Sequence, residues 1–379
     1  AGVAGAIAIG GPGAVFWMWL SAFFGMSTIY AEASLAQEFK ETDTEGNVTG
    51  GPVYYIRQAF KGTFGKVLAA FFAIFCILAL GFMGCMVQTN SISTAFTDVA
   101  TSRGIIFPPI IIGIILAACG FFVFVGGTKR LSAVVEKVVP IMAVVYIIGA
   151  LILLLMNITA IPNVIKMIFV CAFSPESMLG GAAGITIQQA VRYGVASGLF
   201  SNEAGMGSTP HAHALANVKD PHEQGVVAMA GVFIDTLIVL TMTALVVIST
   251  LYAGDGILAS GAAEGVSKAN MAQLAFGEAF GSKAGSIFIA ICLLFFAFST
   301  IISWNLFGKV NVVYLFGKKS EKIYAAIAVV FVFLGSCLSN DLVWELTDFF
   351  NYLMVIPNAI ALIALYKLVV KAVKSAKKK

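Results

Sequence analysis

Residues 199–213 read LFSNEAGMGSTPHAH and lie near one end of an otherwise apolar run from about Gly181 to Ala216. A chain crossing hydrocarbon has no water to satisfy its backbone, so Ser201, Asn202 and Glu203 followed by Gly205, Gly207 and Pro210 are costly there. Glycine weakens a helix interior by up to about 1 kcal/mol, and proline by about 3 kcal/mol. The stretch predicts a helix interrupted inside a membrane, with freed main-chain groups facing a polar cavity. Two placements fit the glycines, Gly194–Gly198 or Ser201–Gly207; in the first, Glu203 belongs to the lower half-helix and its gate. The competing reading is a small-residue seam between packed helices.

Composition shows that the surrounding solvent is lipid. The chain is 59% hydrophobic and 11% charged, against about 45–50% and 25% in soluble domains. Apolar runs approaching the ~20 residues needed to span a bilayer fall at about 14–38, 67–93, 104–126, 132–156, 183–216, 225–252, 284–308, 323–339 and 342–368. Residues 1–9 precede them as what reads like the latter half of another helix. Without ten-residue alternating segments these runs predict helices rather than a barrel. The opening AGVAGAIAIGG has no Met, basic n-region or cleavage signal, and is expected to be a boundary within a longer protein. One transmembrane domain is expected over 1–379, with a first group of helices in 1–156, a second in 183–368 and a basic tail at 369–379.

If the loop near residue 50 is inside, the outer segments hold only Arg103, Lys166, Lys268 and Lys283, Arg192 lies within a span, and all other Lys and Arg fall inside. That asymmetry places the tail KLVVKAVKSAKKK in the cytoplasm, facing anionic lipid of the cell membrane. The net charge of +4 therefore concerns the bilayer and not nucleic acid. The six cysteines show no CxxC spacing and read as small apolar packing residues. His211 and His213 lack a third metal ligand and read as helix-end residues near solvent. The NVT at residue 47 matches a glycosylation pattern but falls on the inner side. The insert KETDTEGNVTGGPVYYIRQAFKG ends in an amphipathic segment expected along the membrane surface. IPNVIKMIFVCAF and NMAQLAFGEAF are too short or interrupted to span, and are expected as outer, lid-like helices. There is no Walker loop for ATP and no nucleophile–base pair or metal spacing for an enzyme.

Polar residues inside spans are the default functional candidates. Asp235 in GVFIDTLIVL lies about 15 Å deep, near the midplane, and Arg192 about 12 Å from the outer face, at 1.5 Å per residue. The two could pair, as a structural ion pair or as a functional one. Counting residues 1–9 as helix 1 makes the opening stretch part of helix 6, the first of a second group of five. Transporters with two inverted repeats carry interrupted helices at such corresponding places.

GGPGAVFWMWLSAFFGMSTIYAE, GGPVYYI, MVQTNSI, GLFSNEAGMGSTPHAHALA, GVFIDT, FFAFSTIISWNLFG and DFFNYLMVIPN run in order nearly end to end. Together they resemble the sodium:alanine (or glycine) symporter family. The resemblance implies an all-α integral membrane protein of LeuT type, a 5+5 inverted repeat with helices 1 and 6 broken. It also implies an N-terminal helix and the first half of helix 1 upstream of Ala1. It implies sodium held by helix 1 carbonyls with Ser299 and Thr300 of helix 8, whose adjacent hydroxyls suit a hard cation. Gly194, Ser197, Gly198, Phe200 and Asn202 of helix 6, with Thr300 and Trp304 of helix 8, are the implied substrate-binding set. Glu203, Asp235 and Arg192 are candidates for gating or coupling. Asp348, Phe349, Phe350 and Asn351 of helix 10 are expected at the cavity. The chain departs from the family at Cys85, where an Asn is usual, at Ala196 and Ser197, where basic residues are frequent, and at Lys309, where an acid is expected.

The implied activity is uptake of alanine or glycine with sodium by alternating access, using neither ATP nor an organic cofactor. The pocket is expected to admit little more than a methyl side chain. One alternative is proton coupling in the same fold, through Glu203 or Asp235. Another, of a different class, is a channel or facilitator, against which stand the interrupted helix and the lack of a ring of pore residues.

Overall fold

The computed structural model describes residues 2–42, 46, 48–125, 127–174, 186–254, 256–259 and 270–376. In the described residues the apolar runs are helices, as the need to satisfy backbone groups internally requires. Helix α1 (Gly2–Gly10) turns over Gly11–Gly13 into α2 (Ala14–Glu38). A small antiparallel ribbon pairs β1 (Glu41–Thr42) with β2 (Val48–Thr49) before α3 (Pro52–Ala59). Helix α4 (Thr63–Thr101) carries a π-helical segment, Ile77–Gly84, and is followed by α5 (Pro109–Val125), α6 (Gly127–Met156) and α7 (Ile161–Phe173). The second half comprises α8 (Ile187–Asn202), the short α9 (Pro210–His213) and α10 (Pro221–Leu251), which contains a π segment at Phe233–Leu240. Then come α11 (Met271–Phe280), α12 (Ser282–Phe316), α13 (Glu321–Gly335) and α14 (Asn340–Ala376).

Ala14–Glu38, Thr63–Thr101, Val139–Met156, Pro221–Leu251, Ser282–Phe316 and Asn340–Lys374 are each long and apolar enough to cross a membrane. Three other expected spans are shorter: α5 has 17 residues, α8 has 16 and α13 has 15. Prolines open α5, the polar break ends α8, and α13 is bounded by the Lys318–Ser320 turn and Gly335. Side chains such as Phe23, Phe24, Phe122 and Ile363 stand more than half exposed on the outside, a distribution suited to lipid rather than water.

Two apolar clusters fill the interior. One gathers α3, α4, α12, α13 and α14 around Tyr55, Phe72, Trp304 and Tyr324. The other joins α1, α2, α6, α7, α10, α11 and α12 around Met18, Leu153, Ile168 and Phe276. Helix α12 belongs to both. Helix α1 runs antiparallel against α8, Gly10 meeting Gln189 and Ala190, while α2 packs on α8 and α10.

Two of the short helices expected at the membrane faces bury one side in the bundle. The segment expected along the membrane surface is α3, and its Pro52, Val53, Tyr55 and Ile56 are buried in the bundle. Its apolar face meets other helices, so lipid is not needed to cover it. NMAQLAFGEAF forms α11, whose Met271, Ala275 and Phe276 are core residues. Asn47, residues 183–185 at the expected start of a span, and 377–379 of the tail lie outside the described residues.

Candidate functional site

Helix α8 opens with a reciprocal cap: Thr186 Oγ1 accepts the N–H of Gln189, and Gln189 Oε1 accepts that of Thr186. The helix then continues without interruption through Gly194 and Gly198 to Asn202. The break falls at Glu203–Gly207, where Glu203 (φ 56), Gly205 (φ 90) and Gly207 (φ 79) take left-handed backbone. Of the two placements open from sequence, the second is observed, and Glu203 lies in the break rather than in a lower half-helix. Glu203 is the one non-glycine residue with positive φ among the described residues. Such strain costs about 1–3 kcal/mol and gathers at functional sites.

Gly194 and Gly198 serve instead as a seam. A Cβ on Gly194 would lie 2.5 Å from Ala14 O and 2.7 Å from Trp17 Cβ, and one on Gly198 would lie 3.3 Å from Met18 Cα. Both glycines let α8 approach α2 closely, in the manner of small residues at membrane helix contacts.

A cavity of about 290 Å³ adjoins the break. Helix α8 contributes Ser197, Phe200 and Ser201, and the break contributes Glu203. From α10 come Asp235 and Thr243, from α12 Thr300 and Trp304, and from α4 Gln88 and Ser91. Gly2 and Val3, at the start of α1, complete one end. Among the described residues two carboxylates line this space and no Lys, Arg or His does.

Trp304 Nε1 donates to Glu203 Oε1 at 2.7 Å, while Glu203 Oε2 is buried without a hydrogen-bond partner. Phe200 packs edge-on to Trp304, with ring centroids 5.6 Å apart, and against Trp344 at 5.3 Å. These rings form the apolar wall. Opposite, Asp235 sits in the π segment of α10 and its Oδ2 accepts from Ser201 Oγ at 2.8 Å and from Thr236 Oγ1 at 3.1 Å. Asn202 ties the end of α8 to the same place, donating to Thr236 Oγ1 at 3.2 Å and accepting from Ala204 N at 3.0 Å.

The structure thus brings together Ser197, Phe200, Glu203, Asp235, Thr300 and Trp304. Asn202 is buried just behind them, and Ser299 is buried with its hydroxyl donated to Phe296 O at 2.8 Å. Thr300 also bonds Phe296 O, at 3.0 Å, yet faces the cavity.

Arg192 does not pair with Asp235: it is exposed, its guanidinium 5.6 Å from the centre of the Tyr193 ring. Nine residues of helix, about 13.5 Å, separate it from the Ser201 that bonds Asp235. Helix α14 presents Trp344 to the cavity; Asp348, Phe349, Phe350 and Asn351 do not line it. Cys85 packs its thiol against the carbonyls of Leu80 and Ile301, at 3.5 and 3.8 Å.

Below the break, His211 is buried rather than near solvent, bonded to Ser208 O at 2.7 Å and Asn311 Nδ2 at 2.8 Å. His213 Nδ1 meets Gln224 at 2.8 Å. Both rings therefore brace α9. Lys309, where an acid was expected, forms an ion pair with Glu321. Sequence reasoning passed over Glu32, which is fully buried and bonds to the break. The signal was present, since an acid six residues inside an apolar run is costly in lipid, but YAEASLAQE resembles the polar end of a span.

The whole chain, residues 1–379, matches the sodium:alanine symporter family. It is 39% identical to the sodium/alanine symporter AgcS of Methanococcus maripaludis over 99% of this chain and 80% of that protein. A Haemophilus influenzae protein described only as a transporter is also 39% identical, over 98% of this chain and 78% of its own length. The probable sodium/glutamine symporter GlnT of Bacillus subtilis is 37% identical, over 98% and 74%. Its relatives are transporters and not enzymes, its helices are those of a multi-pass membrane protein, and the chain belongs to the sodium:alanine symporter family.

Proposed function

We propose that the protein takes up a small amino acid, alanine or glycine, together with sodium, by alternating access across the cell membrane with its C-terminus in the cytoplasm. The observation that carries this reading is the cavity at the Glu203–Gly207 break, lined by two carboxylates and hydroxyls and by no basic side chain among the described residues. A site so charged selects cations and the ammonium of a zwitterion. The substrate ammonium is assigned to Asp235 and Ser201. Its carboxylate is assigned to main-chain N–H groups of the broken helices. Sodium is assigned to Thr300 and Ser299 with main-chain oxygens of helix 1, and the side chain to the wall of Phe200 and Trp304. Gly194 and Gly198 act on this site through the α2 seam, and Asn202 through the end of α8. Glu203, with an unpartnered oxygen beside the cavity, is assigned to gating.

The antiparallel apposition of α1 and α8, each with one end at the cavity, supports a LeuT-type 5+5 inverted repeat. In that scheme, 1–156 belong to the first repeat and 183–368 to the second. One sodium descending 100 mV and a tenfold gradient releases about 3.7 kcal/mol, enough for accumulation of several hundred-fold.

The test is uptake of radiolabelled alanine and glycine into proteoliposomes under sodium or potassium gradients. Equal uptake in both would end the sodium assignment. Thr300→Ala should raise the half-saturating sodium concentration. Asp235 and Glu203 at one cavity keep a second reading in view, proton coupling, which predicts uptake that survives without sodium and collapses with the pH gradient.

A further inference from the structure

The groups that hold the break from its other side are not those that face the cavity. Glu32 of α2 has no exposed surface, and its carboxylate is turned on the break. Oε2 accepts the N–H of Gly205 and Oε1 that of Gly207, both at 2.9 Å. Asn358 of α14, fully buried, donates to Glu32 Oε1 at 2.6 Å and to Gly205 O at 2.9 Å. The hydroxyl of Tyr55, on α3, donates to Asn358 Oδ1. Two residues far apart in sequence thus converge on the main chain of the break, and Tyr55 braces one of them.

A buried carboxylate is tolerated only where several donors hold it, and here two of them are main-chain amides of the break. Those amides belong to the two glycines in left-handed backbone, at φ 90 and φ 79. Surroundings must over-determine such a turn for it to persist. The same turn places Glu203 against Trp304.

We infer that Glu32 is a positioning residue for transport. Its carboxylate, braced by Asn358 and Tyr55, fixes the turn at Gly205–Gly207 and thereby the place of Glu203 and Ser201 at the cavity. The role is distinct from substrate contact, since Glu32 does not line the cavity. It rests on the proposed reading of that cavity as the substrate site.

The experiment uses the full chain, purified and reconstituted. Glu32→Gln preserves shape but meets three N–H donors with one acceptor and its own N–H₂. Hydrogen–deuterium exchange in peptides covering 203–209 should then be at least tenfold faster than in the unaltered protein. Half-saturating alanine for uptake should rise at least fivefold, whereas a merely structural role would lower the maximal rate through lost folded protein and leave half-saturation unmoved. Exchange at the unaltered rate, or faster exchange with unaltered half-saturation, overturns the inference. The double variant Glu32→Gln, Asn358→Asp restores a carboxylate–amide pair without restoring a carboxylate at the glycine amides. It should stay impaired; recovery would show that the Asn358 contact alone matters and overturn the inference. If Glu32→Gln yields no folded protein, Asn358→Ala replaces it, with at least twofold changes in both readouts expected and unaltered behaviour overturning the inference. If the unaltered protein takes up no alanine, the substrate reading fails by itself and the exchange measurement still decides whether Glu32 holds the break.

Discussion

Replacing Gly207 with alanine separates two forces that act at one residue. At φ 79 an alanine pays left-handed backbone strain, about 1–2 kcal/mol. Its Cβ would also lie 2.7 Å from Phe72 Cε2 and 3.0 Å from Asn358 Cγ. Phe72 cannot swing aside freely, because its ring stacks on His211 at 6.2 Å, and His211 stacks on Phe307 at 5.4 Å. Overpacking of this kind costs about 1–3 kcal/mol, so Gly207→Ala should destabilise by about 2–5 kcal/mol in all. Gly205 is the control: its φ is 90, but its added Cβ would meet only Thr28 Cγ2, at 3.4 Å. Gly205→Ala should therefore cost the strain alone, about 1–2 kcal/mol. Equilibrium unfolding in mixed micelles measures both, and the difference of about 1–3 kcal/mol corresponds to roughly 5- to 150-fold in the unfolding constant. Equal losses would refute the packing argument, and no loss in either variant would refute the left-handed turn itself.

Other perturbations follow from the same geometry. Asp235→Asn keeps the size of the side chain but removes the charge assigned to the ammonium, so alanine uptake at low substrate should fall at least tenfold while folded yield holds. Trp304→Phe deletes the 2.7 Å donor to Glu203 and leaves both oxygens of a buried carboxylate unpaired. A cost of about 1–3 kcal/mol is expected, read as a rise of roughly 5- to 150-fold in half-saturating substrate. Lys309→Ala should be mild by contrast. Its pair with Glu321 is partly exposed, the side chains retaining 15% and 29% of their surface, and such pairs contribute about 0.2–1 kcal/mol before screening. A loss above 2 kcal/mol on unfolding would show that the ion pair does more than this.

The membrane class and the order of helices were legible because apolar runs must become helices in lipid. The break was legible as an event, yet its position was not. Gly194 and Gly198 are as helix-weakening as Gly205 and Gly207 when only sequence is seen. What separates them is the neighbour: α2 packs onto the first pair and stabilises the helix, whereas Glu32 and Asn358 take the freed main-chain groups of the second pair. Neither partner is near in sequence. Glu32 was missed for the same reason, since its donors come from residues more than 170 positions away. Ser197, Phe200, Thr300 and Trp304 reach the cavity because motif and helix periodicity set their faces. Arg192 shows the limit of depth alone, which says how far a charge lies along a helix axis but not toward which neighbour it points.

The π segments of α4 and α10 have a consequence for chain length. Each is a dislocation in an otherwise α-helical lattice, with bonds spanning five residues where α-helical bonds span four, so the helix on either side is out of step by one residue. Asp235 and Thr236 lie within the second of them, Phe233–Leu240. Deleting one residue there would let the lattice heal with both flanks keeping their faces, while the wide turn that carries Asp235 would be lost. The helix would survive, whereas the alignment of Asp235 with Ser201 would be lost. At this place a single-codon deletion should therefore be tolerated by folding and rejected by transport.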